Sequence, residues 1–375
     1  MSAESSQPSG RVASLRPRVP PDFCTLFDSK YLVRGLALYA SLRQVEPRAQ
    51  LRAFCMDDRA YNVLARLRLP RLTAIPLGDL ERHDPWLAAA KADRTQLEYC
   101  WTATPCIARY CLDREPDLEA ITYVDSDIHF FSHPEPLFAE LADNSIQIVP
   151  HRYAPEHRHM EPTSGIYNVE WVTFRRDQRG LEALDWWRER CLEWCYYREE
   201  DGKLGDQKYL DDWPERFEGV SVLQHVGGGL APWNVSAYTL SERDGRVWVD
   251  DAPLVFYHYH SLKLFHPRAR HMGRRRSTHL HSAASGSFFW TSNYPPSRLE
   301  ERLVWDPYLA AVNRAFELVR TVEPNFADGF LTSGDFARLT VRSTLGDAVS
   351  HVRRLPGSLH FRESRSESMT PADGD

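Results

Sequence analysis

The sequence predicts an α/β protein built on a mixed, mostly parallel sheet flanked by helices. Over residues 23–76, apolar β-branched and aromatic runs alternate with segments whose apolar residues recur at helical spacing. Such alternation is typical of parallel strands joined by crossover helices. A second observation is that the apolar run Ile121–Val124 ends in two carboxylates, at the kind of strand end where open α/β sheets bind ligands. The 375 residues suffice for a large buried core.

The elements follow from periodicity and turn residues, taken in chain order. The predicted strands are Phe23–Phe27, Leu51–Met56, Leu72–Pro76, Ile121–Val124, Ser145–Val149, Ser164–Phe174 and Leu254–His260. The predicted helices are Leu32 to about Arg43, Ala60–Leu67, Trp101–Leu112, a short helix from Pro136, Leu181–Tyr197 and Pro307–Val319. No Gly-x-Gly-x-x-Gly or Walker pattern follows the first strand, which disfavours the usual dinucleotide and P-loop sites.

Composition predicts five regions along the chain. They are a disordered lead over 1–20, a catalytic domain over 21–265, a basic flexible segment or lid over 266–286, a helical extension over 287–345 and a disordered tail over 346–375. The net charge of -6 does not favour nucleic-acid binding. Neither a long apolar window nor a secretory signal is present, and the seven cysteines lack zinc spacing, so we expect a cytoplasmic protein.

Asp125 and Asp127 form an Asp-x-Asp motif directly after a predicted buried strand. Because side chains alternate along extended chain, both carboxylates can face the same side. Two hard oxygen ligands suit Mg²⁺ or Mn²⁺, which could neutralise a diphosphate. The alternative is a solvated loop or an Asx turn, since three-residue patterns are common by chance.

Further polar residues lie at predicted strand or helix ends, and each has a structural alternative. Asn168 lies in a strand, where it is either a functional amide or one that holds a turn. Asp206 and Gln207 lie at a predicted helix start, where an Asp is most often an N-cap. His258 and His260 alternate in a strand, as either metal ligands or core histidines.

In combination, these segments resemble GT-A-fold glycosyltransferases. Phe23–Tyr31, the Asp-x-Asp strand, the Asn168 strand, Gly205–Gln207 and His258–Lys263 occur in the order seen in that fold, and resemble most the retaining family 8 group, which includes glycogenin and bacterial galactosyltransferases. The resemblance spans roughly residues 22–263. It implies a GT-A (Rossmann-like nucleotide-diphospho-sugar transferase) fold for the predicted α/β domain.

The resemblance also implies roles for individual residues, each at the position that matches the family pattern. Asp125, Asp127 and His258 would bind the divalent metal, and Asp125 would also lie at the ribose. Thr25, Asp28 and Tyr31 would surround the base and ribose, Lys263 would contact the diphosphate, and Arg94 would contact the donor sugar or diphosphate. Asn168 would face the donor sugar, and Asp206 with Gln207 would lie near the anomeric carbon.

The sequence departs from the family pattern in two places. Asn168 is followed by Val169 and Glu170 instead of the family's Asn-x-Gly. The family's His-x-x-Gly-x-x-Lys-Pro-Trp is not kept after His258, which leaves the choice between His258 and His260 as metal ligand open.

The implied activity is metal-dependent, hexosyltransferase-like transfer of a sugar from a nucleoside diphosphate, with UDP the implied nucleotide. The bacterial relatives imply a cell-envelope polysaccharide or lipid-linked precursor as acceptor. The basic segment could contact an anionic membrane surface. Retention needs no strong base on the acceptor side, whereas inversion would make Asp206 or Glu170 the base candidate.

Two other classes of protein remain as alternatives. A catalytically silent carbohydrate-binding protein of the same fold would be expected to have lost its metal ligands, and the sequence keeps them. A metal-dependent phosphohydrolase could also use Asp-x-Asp and His-x-His, but it would need a second cluster of His and Asp ligands.

Overall fold

The chain folds around a seven-stranded sheet, as seen in a computed structural model that describes residues 21–265, 280–282, 288–290 and 294–331. In chain order the strands are β1 (Asp22–Phe27), β2 (Gln50–Cys55), β3 (Leu72–Pro76), β4 (Ala120–Val124), β5 (Ile128–Phe130), β6 (Ile146–Pro150), β7 (Tyr167–Arg175), β8 (Val220–Val222), β9 (Leu240–Arg243), β10 (Arg246–Val249), β11 (Ala252–Pro253), β12 (Phe256–His258), β13 (Lys263–Phe265), β14 (Leu280–Ser282), β15 (Phe288–Trp290) and β16 (Phe330–Leu331).

Helices cover this sheet and connect its strands. In chain order they are α1 (Leu32–Val45), α2 (Asp58–Leu67), α3 (Leu77–His83), α4 (Pro85–Ala90), α5 (Gln96–Arg114), α6 (Glu135–Leu141), α7 (Glu161–Ser164), α8 (Gln178–Glu193), α9 (Trp213–Arg216), α10 (Arg298–Glu300) and α11 (Asp306–Val322). None of the helices in the described ranges is long and apolar enough to pass through a bilayer.

The strand order is β3-β2-β1-β4-β7-β6-β8, and β7 is the one strand of this sheet that runs antiparallel to its neighbours. The predicted mixed, mostly parallel α/β sheet is therefore confirmed. Because β7 is reversed, it begins at the edge where β1 and β4 end. Residues at the start of β7 consequently meet the residues that follow β4.

Side-chain alternation along β1 divides the core into two faces. Cys24 and Leu26 pack in the cluster formed with α5 and α8, whereas Phe27 packs with α1 on the opposite face. Burial of apolar side chains on both faces is what a central parallel strand needs, since helices cover both sides of it. The sheet edge is thereby held between two helical layers.

The predicted C-terminal helix is confirmed as α11, and it belongs to the same core as α1. Tyr308 of α11 is fully buried and stacks on Tyr259 with ring centroids 3.7 Å apart. Residues 330–331 add β16 alongside β13. The predicted lead, tail and most of the basic segment 266–286 lie outside the described residues, apart from the backbone of β14.

Several predicted boundaries were wrong, each for a local reason. The helix predicted from Trp101 begins at Gln96, because Thr95 and Glu98 form a capping box. The helix predicted to reach Tyr197 ends at Glu193. The strand predicted over Leu254–His260 is paired only over Phe256–His258, so His260 lies beyond it.

Candidate active site

The Asp-x-Asp motif occupies the turn between β4 and β5, at the carboxyl edge of the sheet. The backbone N–H of Asp125 donates to the carbonyl of Glu170 across the β4–β7 pair, 3.1 Å away. On the other side, β12 pairs with β5 in a register that places His258 opposite Ile128. The backbone N–H of Tyr259 donates to the carbonyl of Asp127 at 3.0 Å. Two strand pairings thus bring the motif and His258 together.

His258 lies against both carboxylates of the motif. Its Nε2 is 3.1 Å from Asp127 Oδ1 and 3.6 Å from Asp125 Oδ2. The ligand atoms of these three residues all lie within 4.8 Å of one another. His258 is buried, whereas the side chains of Asp125 and Asp127 keep 30% and 14% of their exposure, so the group faces an opening.

This group fits a divalent cation. Two carboxylate oxygens and one imidazole nitrogen are suited to Mg²⁺ or Mn²⁺, and the spacing lets one ion contact all three atoms after small adjustments. The geometry includes His258 and leaves His260 outside the group. The two rings meet edge to face, with centroids 5.9 Å apart.

Glu170 binds the other nitrogen of the His258 ring, Nδ1. The Glu170 side chain is fully buried, and His258 Nδ1 donates to its Oε2 at 2.6 Å. A carboxylate in this position selects the tautomer whose Nε2 faces a metal. Enclosed in this way, Glu170 is shielded from any molecule that enters the site.

The electrostatics of the group reflect its crowded negative charge. Burial raises the pKa of Asp125 to about 6, and the charges of Asp127 and Glu170 add to that effect. Burial opposes ionisation of Asp127 too, but the charge and hydrogen bond of His258 hold its pKa at about 2. Burial would lower the pKa of His258, yet Asp127 and Glu170 raise it well above its ordinary value. The carboxylates therefore attract a cation.

Asn168, at the start of β7, is buried and makes three hydrogen bonds. Its Oδ1 accepts from the backbone N–H of Glu170 at 2.7 Å, and its Nδ2 donates to His151 Nε2 at 3.0 Å. A longer bond of 3.5 Å reaches Gln207 Oε1, and Gln207 Nε2 donates to the carbonyl of Ser164 at 2.7 Å. Asn168 and Gln207, which were predicted for the site as separate residues, are therefore brought into contact.

Asp206 is buried beside the metal group. Burial, together with the charge of Asp125, raises its pKa to about 7. It precedes the 3-10 turn Gln207–Leu210 but makes no side-chain capping bond there, so the N-cap alternative is not supported. A buried carboxyl with a raised pKa next to charged groups is typical of functional sites.

The residues predicted around the nucleotide lie where β1 ends. Thr25 is fully buried within β1, and its hydroxyl has no hydrogen-bond partner among the described residues. Asp28 accepts from the backbone N–H groups of Lys30 and Tyr31 in an Asx turn. Tyr31 is 38% exposed, with the guanidinium of Arg34 4.2 Å from its ring centroid.

Sequence comparison identifies relatives of this chain. No protein-family model matches it. It is 34% identical over 249 residues to the uncharacterized protein YfnF of Bacillus subtilis, covering 64% of this chain and 82% of YfnF. It is 29% identical over 315 residues to the uncharacterized protein YfnD of the same organism, covering 82% of this chain and 94% of YfnD.

The chain belongs to the YfnF family. Among solved structures, this YfnF-family protein is similar to the galactosyltransferase LgtC, with a TM-score of 0.47 and 12% identity over 80% of this chain and 95% of LgtC. It is also similar to mouse xyloside xylosyltransferase 1, with a TM-score of 0.40 and 13% identity over 64% of this chain and 98% of that chain.

The two remaining residues that the resemblance assigns to the site of this YfnF-family protein are Lys263 and Arg94. Lys263 is exposed at the start of β13; partial desolvation and the charge of Arg34 lower the pKa of its ammonium group, and the charge of Asp127 opposes them. Arg94 lies over the ring of Tyr196, with its guanidinium 3.8 Å from the ring centroid, and donates to the carbonyl of Leu192. Its hydrogen bonds join the segment before α5 to the end of α8, and none of them reaches the metal group.

Sequence reasoning missed the segment that covers the site in the YfnF-family protein. The Trp233 indole N–H donates to the carbonyl of His151 at 2.9 Å, and its ring meets the His258 ring edge to face at 5.3 Å. Gly229 has φ +83°, and a Cβ there would lie 2.5 Å from Val149 and 3.0 Å from Glu170 Oε1. The available signal was the segment His225–Asn234, which has three consecutive glycines followed by Pro232-Trp233-Asn234, since glycine permits such close approach.

Proposed function

We propose that this protein is a metal-dependent glycosyltransferase that takes its sugar from a nucleoside diphosphate. The observation that carries this proposal is the group of Asp125, Asp127 and His258 at the carboxyl edge of an α/β sheet. Ligands of open α/β sheets bind at that edge. Beside the group lie a buried carboxyl, Asp206, and a pair of amides, which suit the reacting end of a sugar.

Asp125, Asp127 and His258 would hold Mn²⁺ or Mg²⁺, which neutralises the charge of a leaving diphosphate when bound. On this proposal Thr25, Asp28 and Tyr31 contact the base and ribose of the nucleotide, with Asp125 also reaching the ribose. Lys263 supplies positive charge toward the diphosphate, and Arg94 would reach the donor sugar or diphosphate only after its guanidinium leaves the ring of Tyr196. These assignments follow the order of the motifs along the chain.

Asn168, Asp206 and Gln207 form the part of the site assigned to the donor sugar. Asn168 orients the sugar through its amide, and Gln207 and Asp206 lie near the anomeric carbon, where positive charge develops. Transfer proceeds with retention, so the acceptor hydroxyl gives its proton to the leaving phosphate without a strong protein base. The full burial of Glu170 supports this choice over inversion through that residue.

We further propose a UDP-linked hexose as donor and a cell-envelope polysaccharide or lipid-linked precursor as acceptor. The protein would act in the cytoplasm, with peripheral contact to the membrane. Among the described residues, His and Asp side chains form this one three-residue metal group. That observation favours sugar transfer over a phosphohydrolase, which would need a second group.

The proposal is tested by thermal unfolding against a panel of nucleoside diphosphates and nucleotide sugars, with and without Mn²⁺. A ligand that binds the folded state alone raises Tm by mass action. We expect UDP or one UDP-sugar to raise Tm when Mn²⁺ is present. We expect the Asp127→Ala variant to lose this rise, and the Asp251→Asn variant, at a fully exposed carboxylate, to keep it.

Ligands that raise Tm are then incubated with the wild-type protein and candidate acceptors, and sugar transfer is followed by mass spectrometry. A folded wild-type protein whose Tm responds to no nucleotide would contradict the proposal. Release of free phosphate without sugar transfer would instead support the phosphohydrolase.

A further inference from the structure

Glu170 is a buried carboxylate that contacts the metal group but is not one of its three candidate ligands. Its side chain is fully buried, and among the described residues His258 is the side chain with which it shares a hydrogen bond. The remaining oxygen, Oε1, is buried and has no partner within the described part of the chain. Burying a carboxylate destabilises the fold strongly unless the carboxylate is well paired.

The backbone around Glu170 fixes where this carboxylate points. Its N–H donates to Asn168 Oδ1 at 2.7 Å, and its carbonyl accepts from the N–H of Asp125 at 3.1 Å. The backbone of Glu170, in β7, therefore bonds directly to the Asp-x-Asp turn, and the Glu170 side chain holds His258 on β12. One residue thus links all the strands that supply the metal group.

We propose that Glu170 is a positioning residue that presents His258 Nε2 to the cation. The 2.6 Å bond from Nδ1 fixes the ring orientation and keeps a proton on Nδ1, so that Nε2, which lies on the side of Asp125 and Asp127, is the nitrogen that would bind the cation. Carboxylate partners of this kind also make a metal-binding imidazole more basic. The inference rests on the metal site of the proposed function and gives a task to a residue outside the three ligands.

A purely structural task explains the observations less well. A buried carboxylate paired with a histidine is often no more stabilising than an apolar pair of the same volume. The Glu170 carboxylate also lies close to Gly229, where a Cβ would approach Oε1 to 3.0 Å. The carboxylate is therefore accommodated by a neighbour without a side chain, and its bond is directed at the one imidazole of the metal group.

The test measures the Kd of Mn²⁺ alone, by calorimetry, so that it is independent of nucleotide and activity. Glu170→Gln is made in the wild-type chain and in a His258→Ala chain, because Gln keeps the size of Glu and an acceptor oxygen but loses the charge. We expect Glu170→Gln to weaken Mn²⁺ binding about 10-fold in the wild-type chain, the lower end of losses seen for such partners. In the His258→Ala chain we expect a loss of less than about twofold, since the effect passes through that ring.

A spectroscopic measurement covers the case in which the His258→Ala chain does not fold. Pulsed electron paramagnetic resonance of bound Mn²⁺ reports the nitrogen of a directly bound imidazole. We expect this nitrogen coupling in the wild-type protein and a clear reduction of it in Glu170→Gln. The matched control is Glu182→Gln, at an exposed position of α8, which should leave both Kd and the coupling unchanged.

The outcomes separate this inference from the proposed function. Wild-type protein that binds Mn²⁺, with Kd and nitrogen coupling equal in Glu170→Gln, would overturn the task of Glu170 and leave the metal site standing. An equal loss in both backgrounds would overturn it too. Absence of Mn²⁺ binding to the folded wild-type protein would overturn the metal site and, with it, the positioning role.

Discussion

The two halves of the candidate site are held together by different forces. The metal half consists of Asp125, Asp127, His258 and Glu170, and its close contacts are between charged groups. The amide half consists of Asn168, Gln207 and His151, joined by hydrogen bonds between uncharged groups. The metal half gathers three carboxylates around one imidazole, whereas the amide half contains no ionised side chain.

This difference in charge indicates that the metal half should respond to a cation. Close carboxylates repel each other strongly in a partly buried site, and a divalent ion relieves that repulsion. The amide half has no such excess of charge, so its residues should contribute mainly to the stability of the fold and to sugar orientation. Changes in the two halves should therefore affect different measurements.

The largest effect is expected from removing the metal-binding imidazole. His258→Ala should weaken Mn²⁺ binding by at least about 100-fold. Removing a residue that merely supports a metal ligand already weakens binding by up to about that factor, and here the ligand itself is removed. His260→Ala is the matched control, because His260 lies beyond β12 and outside the metal group, and it should change Kd by less than about threefold. Calorimetric titration with Mn²⁺ measures both, and similar losses in the two variants would contradict the assignment of His258.

An effect of intermediate size is expected in the amide half, on stability. Asn168→Ala leaves the Glu170 N–H and His151 Nε2 without their partner, and we expect a loss of about 2–3 kcal/mol in the free energy of unfolding. Urea unfolding measures this loss. The exposed Asn62→Ala should cost less than about 0.5 kcal/mol.

The same variant sharpens the comparison between halves. Folded Asn168→Ala protein should bind Mn²⁺ with a Kd within about threefold of wild type, because Asn168 holds the backbone and not the ligands. A loss of metal affinity as large as that of His258→Ala would show that the two halves act as one unit, and it would contradict the division of the site into a metal half and an amide half.

Residues that depend on local pattern could be predicted from the sequence. The alternation of Asp125 and Asp127 after an apolar run depends on a few neighbouring residues, and the structure keeps it. The parallel sheet follows from alternating strands and helices in the same way. These features need no knowledge of distant contacts.

Contacts that depend on long-range pairing do not follow from local pattern. The resemblance implied His258 as the metal ligand, but the residues alone left His258 and His260 open, and the register of β12 on β5, which joins residues about 130 positions apart, brings His258 to the group. The contact between Glu170 and His258 likewise depends on how β7 meets β4. The packing of α11 on α1 is a third example, since periodicity predicted the helix but not its partner.

The smallest effect is expected in the pH dependence of stability, through His151. Burial lowers its pKa to about 3, and the ring is neutral, since its Nε2 accepts from Asn168. Below about pH 6.5, the ordinary pKa of histidine, His151 is protonated in the unfolded chain but stays neutral in the folded chain. The free energy of unfolding should therefore fall as pH drops from 6.5 to 5, by at most about 2 kcal/mol in total from this group, because one pH unit corresponds to about 1.4 kcal/mol. His151→Gln should remove that part of the slope in urea unfolding at pH 7, 6 and 5, whereas His159→Gln, at an exposed position, should not. Parallel slopes in wild type and His151→Gln would show that the amide half tolerates a charged imidazole, and its contrast with the metal half would then weaken.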